Sequence, residues 1–159
     1  MRITILAIGR SQPGPERDLT DRYTERIGQL SKPLGLRCSV REFPQSRKNR
    51  AADRIEEEAK AIKAATAEGA RRVVLDENGR SITSVELADR AGKWRDAGVG
   101  ETIFILGGPD GLAAELVDRA DLVLAFGKVS WPHQLARTML TEQIYRMLTI
   151  WAGHPYHRQ

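Results

Sequence analysis

Apolar and polar positions alternate along this 159-residue chain in two rhythms, one of period two and one near 3.6. Arg2 to Ile8, "RITILAI", is a short apolar run and predicts a strand. "SQPGPERDLTDRYTERIGQL" opens on a proline–glycine loop, then places Leu19, Tyr23, Ile27 and Leu30 at helical spacing. In Leu36 to Phe43, Leu36, Cys38 and Val40 alternate with Arg37, Ser39 and Arg41, as in a strand. A polar, basic loop, "PQSRKNR", follows. From Ala51 to about Ala67 the helical period returns, with Ile55, Ala59 and Ile62 on one face. Glu56 stands four residues before Lys60, a pairing distance on a helix. The run Glu56, Glu57, Glu58 reads as a solvated face.

"RRVVLDENGR" predicts a short strand ending in a turn at Glu77, Asn78 and Gly79. Thr83 or Ser84 is placed to cap a helix running through Trp94. Thr102 to Leu106 is a glycine-bounded strand that runs into "GGPDG", and Asp110 is placed to cap a short helix ending at Arg119. "ADLVLAFG" reads as another buried strand. Pro132 opens a helix continuing to about Ala152. Its apolar stripe is Leu140, Ile144, Met147, Leu148 and Trp151, with Arg137, Thr141 and Tyr145 on a different face. Five strands alternating with five helices, three of the strands apolar throughout, predict an α/β fold. Its sheet is mostly parallel and covered by helices on both faces. The length fits one domain over residues 1–159.

Composition changes little in this picture. No apolar run reaches the roughly 20 residues of a membrane span, so no membrane partner is expected. The opening "MRITILAIG" has one basic residue and no small-residue cleavage site after it, and reads as a strand rather than a signal peptide. Cys38 is the single cysteine, which rules out an intrachain disulfide and fits the reducing cytoplasm. Charge changes more. The net charge is +4, but the first fifty residues hold eleven lysines and arginines against five acids. Such a bias is either the footprint of a nucleic-acid ligand or a solvated basic surface.

In open α/β sheets, ligands sit beyond the C-terminal ends of the strands. Three segments leave such ends: "LDENG" (75–79), "LGGPDG" (106–111) and "AFGKVSWPH" (125–133). "GGPDG" lacks the GK[ST] of a phosphate loop and is not GxGxxG. "AFGKVSWPH" is apolar where solvated turn residues are usual, so it needs a cover: a ligand, a partner chain or an unusual chain path. His154 and His157 have zinc-like spacing but no third ligand nearby, so no metal is expected. Ser130 and His133 lie close in sequence without a nucleophile elbow. Glu142 and Arg146 stand at ion-pair spacing.

The stretches "LGGPDGL", "AFGKVSWPHQLARTMLTEQIYR" and the terminal "HPYHRQ" occur in order, with "ITILAIG" and the "LDENG" turn before them. Over its full length the chain closely resembles the ribosomal RNA large subunit methyltransferase H family, of the SPOUT (α/β-knot) superfamily. It departs at Gly127, Lys128, Val129 and Ser130, where family members typically carry a Ser-x-Met-Thr-like stretch. The resemblance implies a C-terminal trefoil knot and a cytoplasmic homodimer with the cofactor site at its interface. It further implies transfer of a methyl group from S-adenosylmethionine to N3 of a pseudouridine in large-subunit rRNA, on the assembled ribosome. The cofactor positions it implies are Leu75, Gly107, Phe126, Gly127, Lys128, Val129, Ser130 and Trp131. Its catalytic candidates are His133 or His157 as proton acceptor, Arg146 or Arg158 as the cation facing the developing anion, and Tyr156 against the base. Two other classes stay open on the residues alone: an RNA-binding protein without turnover, and a flavodoxin-like binder with a phosphate at "GGPDG".

Overall fold

A computed structural model describes residues 1–157, the last of them in its backbone alone. Its strands are β1 (Arg2–Ile8), β2 (Arg37–Phe43), β3 (Arg71–Arg80), β4 (Glu101–Leu106) and β5 (Leu122–Leu124). Its helices are α1 (Pro15–Ser31), α2 (Ala51–Ala65), α3 (Ser84–Asp96), α4 (Ala114–Asp118) and α5 (His133–Trp151), followed by a 3-10 turn over Pro155–His157. Every strand pairing is parallel, in the order β2-β1-β4-β3-β5.

The period of two decides which helices cover which face. Ile3, Ile5 and Ala7 of β1, Val73 of β3, and Phe104 and Leu106 of β4 pack in one cluster with Ile27 of α1, Leu87 and Ala91 of α3, and Leu140, Ile144, Met147 and Leu148 of α5. Their alternates Leu6, Ile8, Val74, Ile103 and Ile105 meet Ala59 and Ile62 of α2 and Leu116 of α4. The result is three layers, helices on both faces of a buried sheet, as the apolar strands predict. Thr83 caps α3 in a capping box. Its hydroxyl accepts the Glu86 N–H at 3.1 Å, and the Glu86 carboxylate accepts the Thr83 N–H at 2.7 Å. Glu56 and Lys60 pair at 2.7 Å, as their spacing predicts.

Three local expectations are corrected, at the 77–79 turn, at Asp110 and at Glu58. The strand at 71–80 does not end before 77–79. Leu124 pairs with both Leu75 and Arg80, so residues 76–79 leave the ladder as a bulge and the strand resumes at Arg80. Asp110 caps nothing. The cap of α4 is Ala113, and Asp110 is gripped instead by Arg54. Glu58 is not on a solvated face but 5% exposed, because the loop after β2 folds over it. Arg137 and Thr141 are each 1% exposed, since the chain after β1 and the end of β2 close over that side of α5.

Candidate functional site

All five strands point their C-terminal ends the same way, and a cavity of about 490 Å³ opens beyond β3, β4 and β5. Three connections wall it: the 76–79 bulge, the 107–111 turn and the 125–131 segment. The 107–111 turn is closed by a bridge between Gly108 and Gly111. A Cβ on Gly107 would meet the Leu112 side chain at 2.7 Å and the Gly111 carbonyl at 3.0 Å, so only glycine lets this turn fold so tightly. Gly127 sits at φ +95°, a left-handed conformation that a serine adopts only with strain. Ser130 Oγ donates to Glu77 at 3.2 Å and Trp131 Nε1 donates to the Phe126 carbonyl at 3.0 Å, tying the long segment to the bulge and to itself.

Of the residues singled out for a cofactor, Leu75, Gly107, Phe126, Gly127, Val129, Ser130 and Trp131 line this cavity. Lys128 lies on the same segment but not among the lining residues. The walls are backbone, short side chains and apolar surface, with Asp76, Glu77 and Asn78 on one edge. That donor set suits a flat heteroaromatic ring with a polar tail, and the glycine cradle at 107 is space that a side chain would fill. Val129 is 62% exposed and Trp131 44%, so the apolar segment stays uncovered within one chain.

His133 borders the same cavity. Arg137, one turn further along α5, lies 3.3 Å from His133 Nε2. A guanidinium can only donate, so Nε2 is the acceptor and the ring is neutral with its proton on Nδ1. Burial, helped by the Arg137 charge, holds the His133 pKa below its ordinary value. Arg137 also donates to the Gly9 carbonyl at 2.6 Å and pairs with Glu42. The sequence carried one hint of this role, a cation at i+4 from a histidine.

The other catalytic candidates lie elsewhere. Arg146 is 13 residues along α5 from His133, about 20 Å at about 1.5 Å per residue. It binds Glu142 through Nη2 at 2.6 Å and Nε at 3.1 Å. Gly153, at φ +64°, turns the chain off α5 and the 3-10 turn carries Tyr156 back onto that helix. The Tyr156 hydroxyl lies 3.1 Å from Glu142 and 3.3 Å from the Tyr23 hydroxyl. Its ring meets Tyr145 edge-on at 4.8 Å, with Arg146 5.0 Å from its centroid. Burial and the bond to Tyr23 push the Tyr156 phenol up. Tyr23 and Glu142, which complete this cluster, were not among the expected site residues. Arg158 and the side chain of His157 lie outside the described residues. Among the described residues no group of three or more His, Cys, Asp or Glu is placed to hold a metal ion, and no helix is long and apolar enough to cross a membrane.

Residues 1–157 match a family model described as "Predicted SPOUT methyltransferase". Proteins named ribosomal RNA large subunit methyltransferase H are similar along their whole length. The one from Nitrobacter hamburgensis is 53% identical, and those from Rhodopseudomonas palustris strain BisB5 and Bradyrhizobium diazoefficiens are 52% and 50% identical, each aligned over 99% of both chains. Among solved structures, a probable methylase family protein from Haemophilus influenzae superposes with a TM-score of 0.50 at 12% identity, over 99% of this chain and 70% of that one.

Proposed function

The chain belongs to the SPOUT methyltransferase family, and from that premise we propose that it methylates N3 of a pseudouridine in large-subunit ribosomal RNA, with S-adenosylmethionine as donor. The observation that carries this reading is the end-to-end similarity to relatives named ribosomal RNA large subunit methyltransferase H.

In this reading Leu75, Gly107, Phe126, Gly127, Lys128, Val129, Ser130 and Trp131 hold the cofactor, the glycines by close backbone approach and Phe126 and Trp131 by apolar contact. When bound, the cofactor supplies an electrophilic methyl on a positive sulfur that leaves as a neutral thioether. The target N3–H is a weakly acidic imide, so its proton must go as N3 forms its bond to the methyl carbon. Negative charge then develops on the ring. Arg146 is the cation for that charge, with Arg158 the alternative, and Tyr156 packs against the base. His133 already accepts from Arg137, so we assign proton acceptance to His157.

Cavity and Arg146–Tyr156 cluster are too far apart in one chain to act on one base. A homodimer resolves this: the cluster of one protomer works at the cavity of its partner, and the partner covers Val129, Trp131 and Leu135. The protein would act in the cytoplasm on the assembled large subunit. The knot expected of the superfamily belongs to the same proposal. The test is to incubate the protein with large ribosomal subunits lacking the modification and methyl-labelled S-adenosylmethionine. Label at a pseudouridine of large-subunit rRNA is the expected result. Cofactor binding with no label in rRNA would overturn the reading.

A further inference from the structure

The polar loop over residues 44–50 leaves β2 at the end of the sheet where the cavity opens, and α2 fastens it at two points. At its base, the buried Glu58 accepts the Ser46 N–H at 2.9 Å, and Glu57 takes the Ser46 hydroxyl. At its tip, Arg54 donates through Nη1 to the carbonyls of Lys48 at 2.9 Å and Asn49 at 3.0 Å. The same guanidinium grips Asp110 through Nε at 2.7 Å and Nη2 at 2.8 Å. Asp110 borders the cavity, so the loop tip is fixed to the cavity's rim. Glu58 also backs the glycine turn: its Oε2 has no hydrogen-bond partner among the described residues, and a Cβ on Gly108 would stand 2.9 Å from it. One helix therefore holds a basic loop and the glycine wall in fixed register.

The charges in this loop divide in two. Arg54 is neutralised by Asp110, and Arg50 by Asp53 at 2.8 Å. Arg47 and Lys48 are exposed, and among the described residues their charged groups have no ion pair or hydrogen bond. Just after β1, which pairs with β2, Arg10 is likewise exposed and without a side-chain partner among the described residues, and Gln134, beside His133, donates to its carbonyl at 3.4 Å.

We propose that the loop over residues 44–50 is a phosphate grip for the RNA strand whose base enters the cavity. Arg47 and Lys48 contact backbone phosphates on either side of that base, and α2 sets their distance from the cofactor site through Arg54 and Glu58. This rests on the rRNA reading above. A strand that delivers one base into a cavity must run its flanking phosphates along the rim. The loop is a rigid, basic part of that rim. An acidic protein partner would engage the same charges but leave their fixed register with the rim of the cofactor cavity without a role.

The test compares wild-type protein with Arg47→Gln/Lys48→Gln and Arg54→Met for binding to large ribosomal subunits and to a single-stranded oligoribonucleotide at several salt concentrations. The double variant is expected to bind both RNAs about tenfold or more weakly, with its salt slope lowered by about 1.4 to 1.8 for two lost phosphate contacts. Its calorimetric affinity for S-adenosylmethionine is expected to be unchanged. Arg54→Met is expected to weaken RNA binding several-fold at an unchanged salt slope, because it loosens the loop without removing a phosphate contact. An unchanged slope in the double variant, or weakened binding to subunits but not to the oligoribonucleotide, would overturn the phosphate grip. Wild-type RNA affinity in Arg54→Met would overturn the role of α2. Binding is read without turnover, so failure of the wild type to label rRNA would count against the methyltransferase reading and leave this test standing.

Discussion

The two ends of α5 are built on opposite plans. At its N-terminal end lies a cavity walled by backbone, glycines and exposed apolar side chains, with His133 on its border. At its C-terminal end lies a filled cluster in which Tyr23, Glu142, Tyr145, Arg146 and Tyr156 satisfy one another. The first is shaped by side chains that are missing, the second by side chains that are paired. A hollow that admits a ligand needs close backbone approach, which only small residues permit. A cation held ready for a developing charge needs a partner that fixes its geometry until the substrate arrives. Reacting groups must meet within about 3–3.5 Å, so the distance along one helix is itself an argument for a second copy of the chain.

Separate substitutions at the two ends should have separable effects. Arg146→Ala should lower methyl transfer by about 100- to 1000-fold, with the cofactor affinity unchanged in calorimetry. An equal loss of cofactor affinity would mean that the two ends are not independent. Arg137→Met should cost about 3 kcal/mol of stability, read by denaturant unfolding, because Glu42 and the Gly9 carbonyl lose their donor. A change below about 0.5 kcal/mol would remove Arg137 from any role in holding the cavity end together. Gly107→Ala forces a clash worth about 2–3 kcal/mol, so cofactor affinity should fall about 30- to 150-fold while the circular dichroism stays native and the Arg146 cluster keeps its hydrogen bonds.

The pH dependence is smaller. The His133 pKa is lowered by burial, so the unfolded chain takes up this proton before the folded one does. Its contribution to stability is therefore complete above about pH 6.5 and declines as pH falls toward the folded-state value. His133→Gln should flatten that part of the stability profile, and an unflattened profile would reject the neutral ring. The smallest effect is a control on both ends. Burial pushes the Cys38 thiol up to about 11, so alkylation at pH 8 should be slow in the wild type and stay slow in the Arg146 and Gly107 variants. Fast labelling of a variant would mean that its β2 edge has opened and that its other losses reflect unfolding.

Much of the architecture was legible before any coordinates. β1 matches its expected span, α5 carries its expected stripe, and the Thr83 cap sits within one residue of where composition puts it, whereas in α1 Leu19 is 40% exposed and Thr20 is buried in its place. The cavity was legible as well, because three strand ends in the second half of the chain had to share one crevice. Glu58 was misread for a physical reason. Periodicity reports which face of a helix is apolar, but not which polar residue a distant loop will cover, and Glu58 is covered by the loop that follows β2.

By itself, then, the sequence determined the α/β class, the strand and helix order, the family and the segments that wall the cavity. These depend on local period and on contiguous motifs. Only the tertiary structure decided that Arg137 is buried against His133 Nε2, and that Asp110 anchors a basic loop instead of capping a helix. It alone decided that Tyr156 and Arg146 stand at the far end of α5 from the cavity. Each of those outcomes depends on a pairing between residues far apart in the chain, Arg137 with Glu42, Arg54 with Asp110, Tyr156 with Tyr23. No periodicity encodes such a pairing, because its free energy is set by where the partner's charge and the surrounding low-dielectric interior end up after the layers have packed.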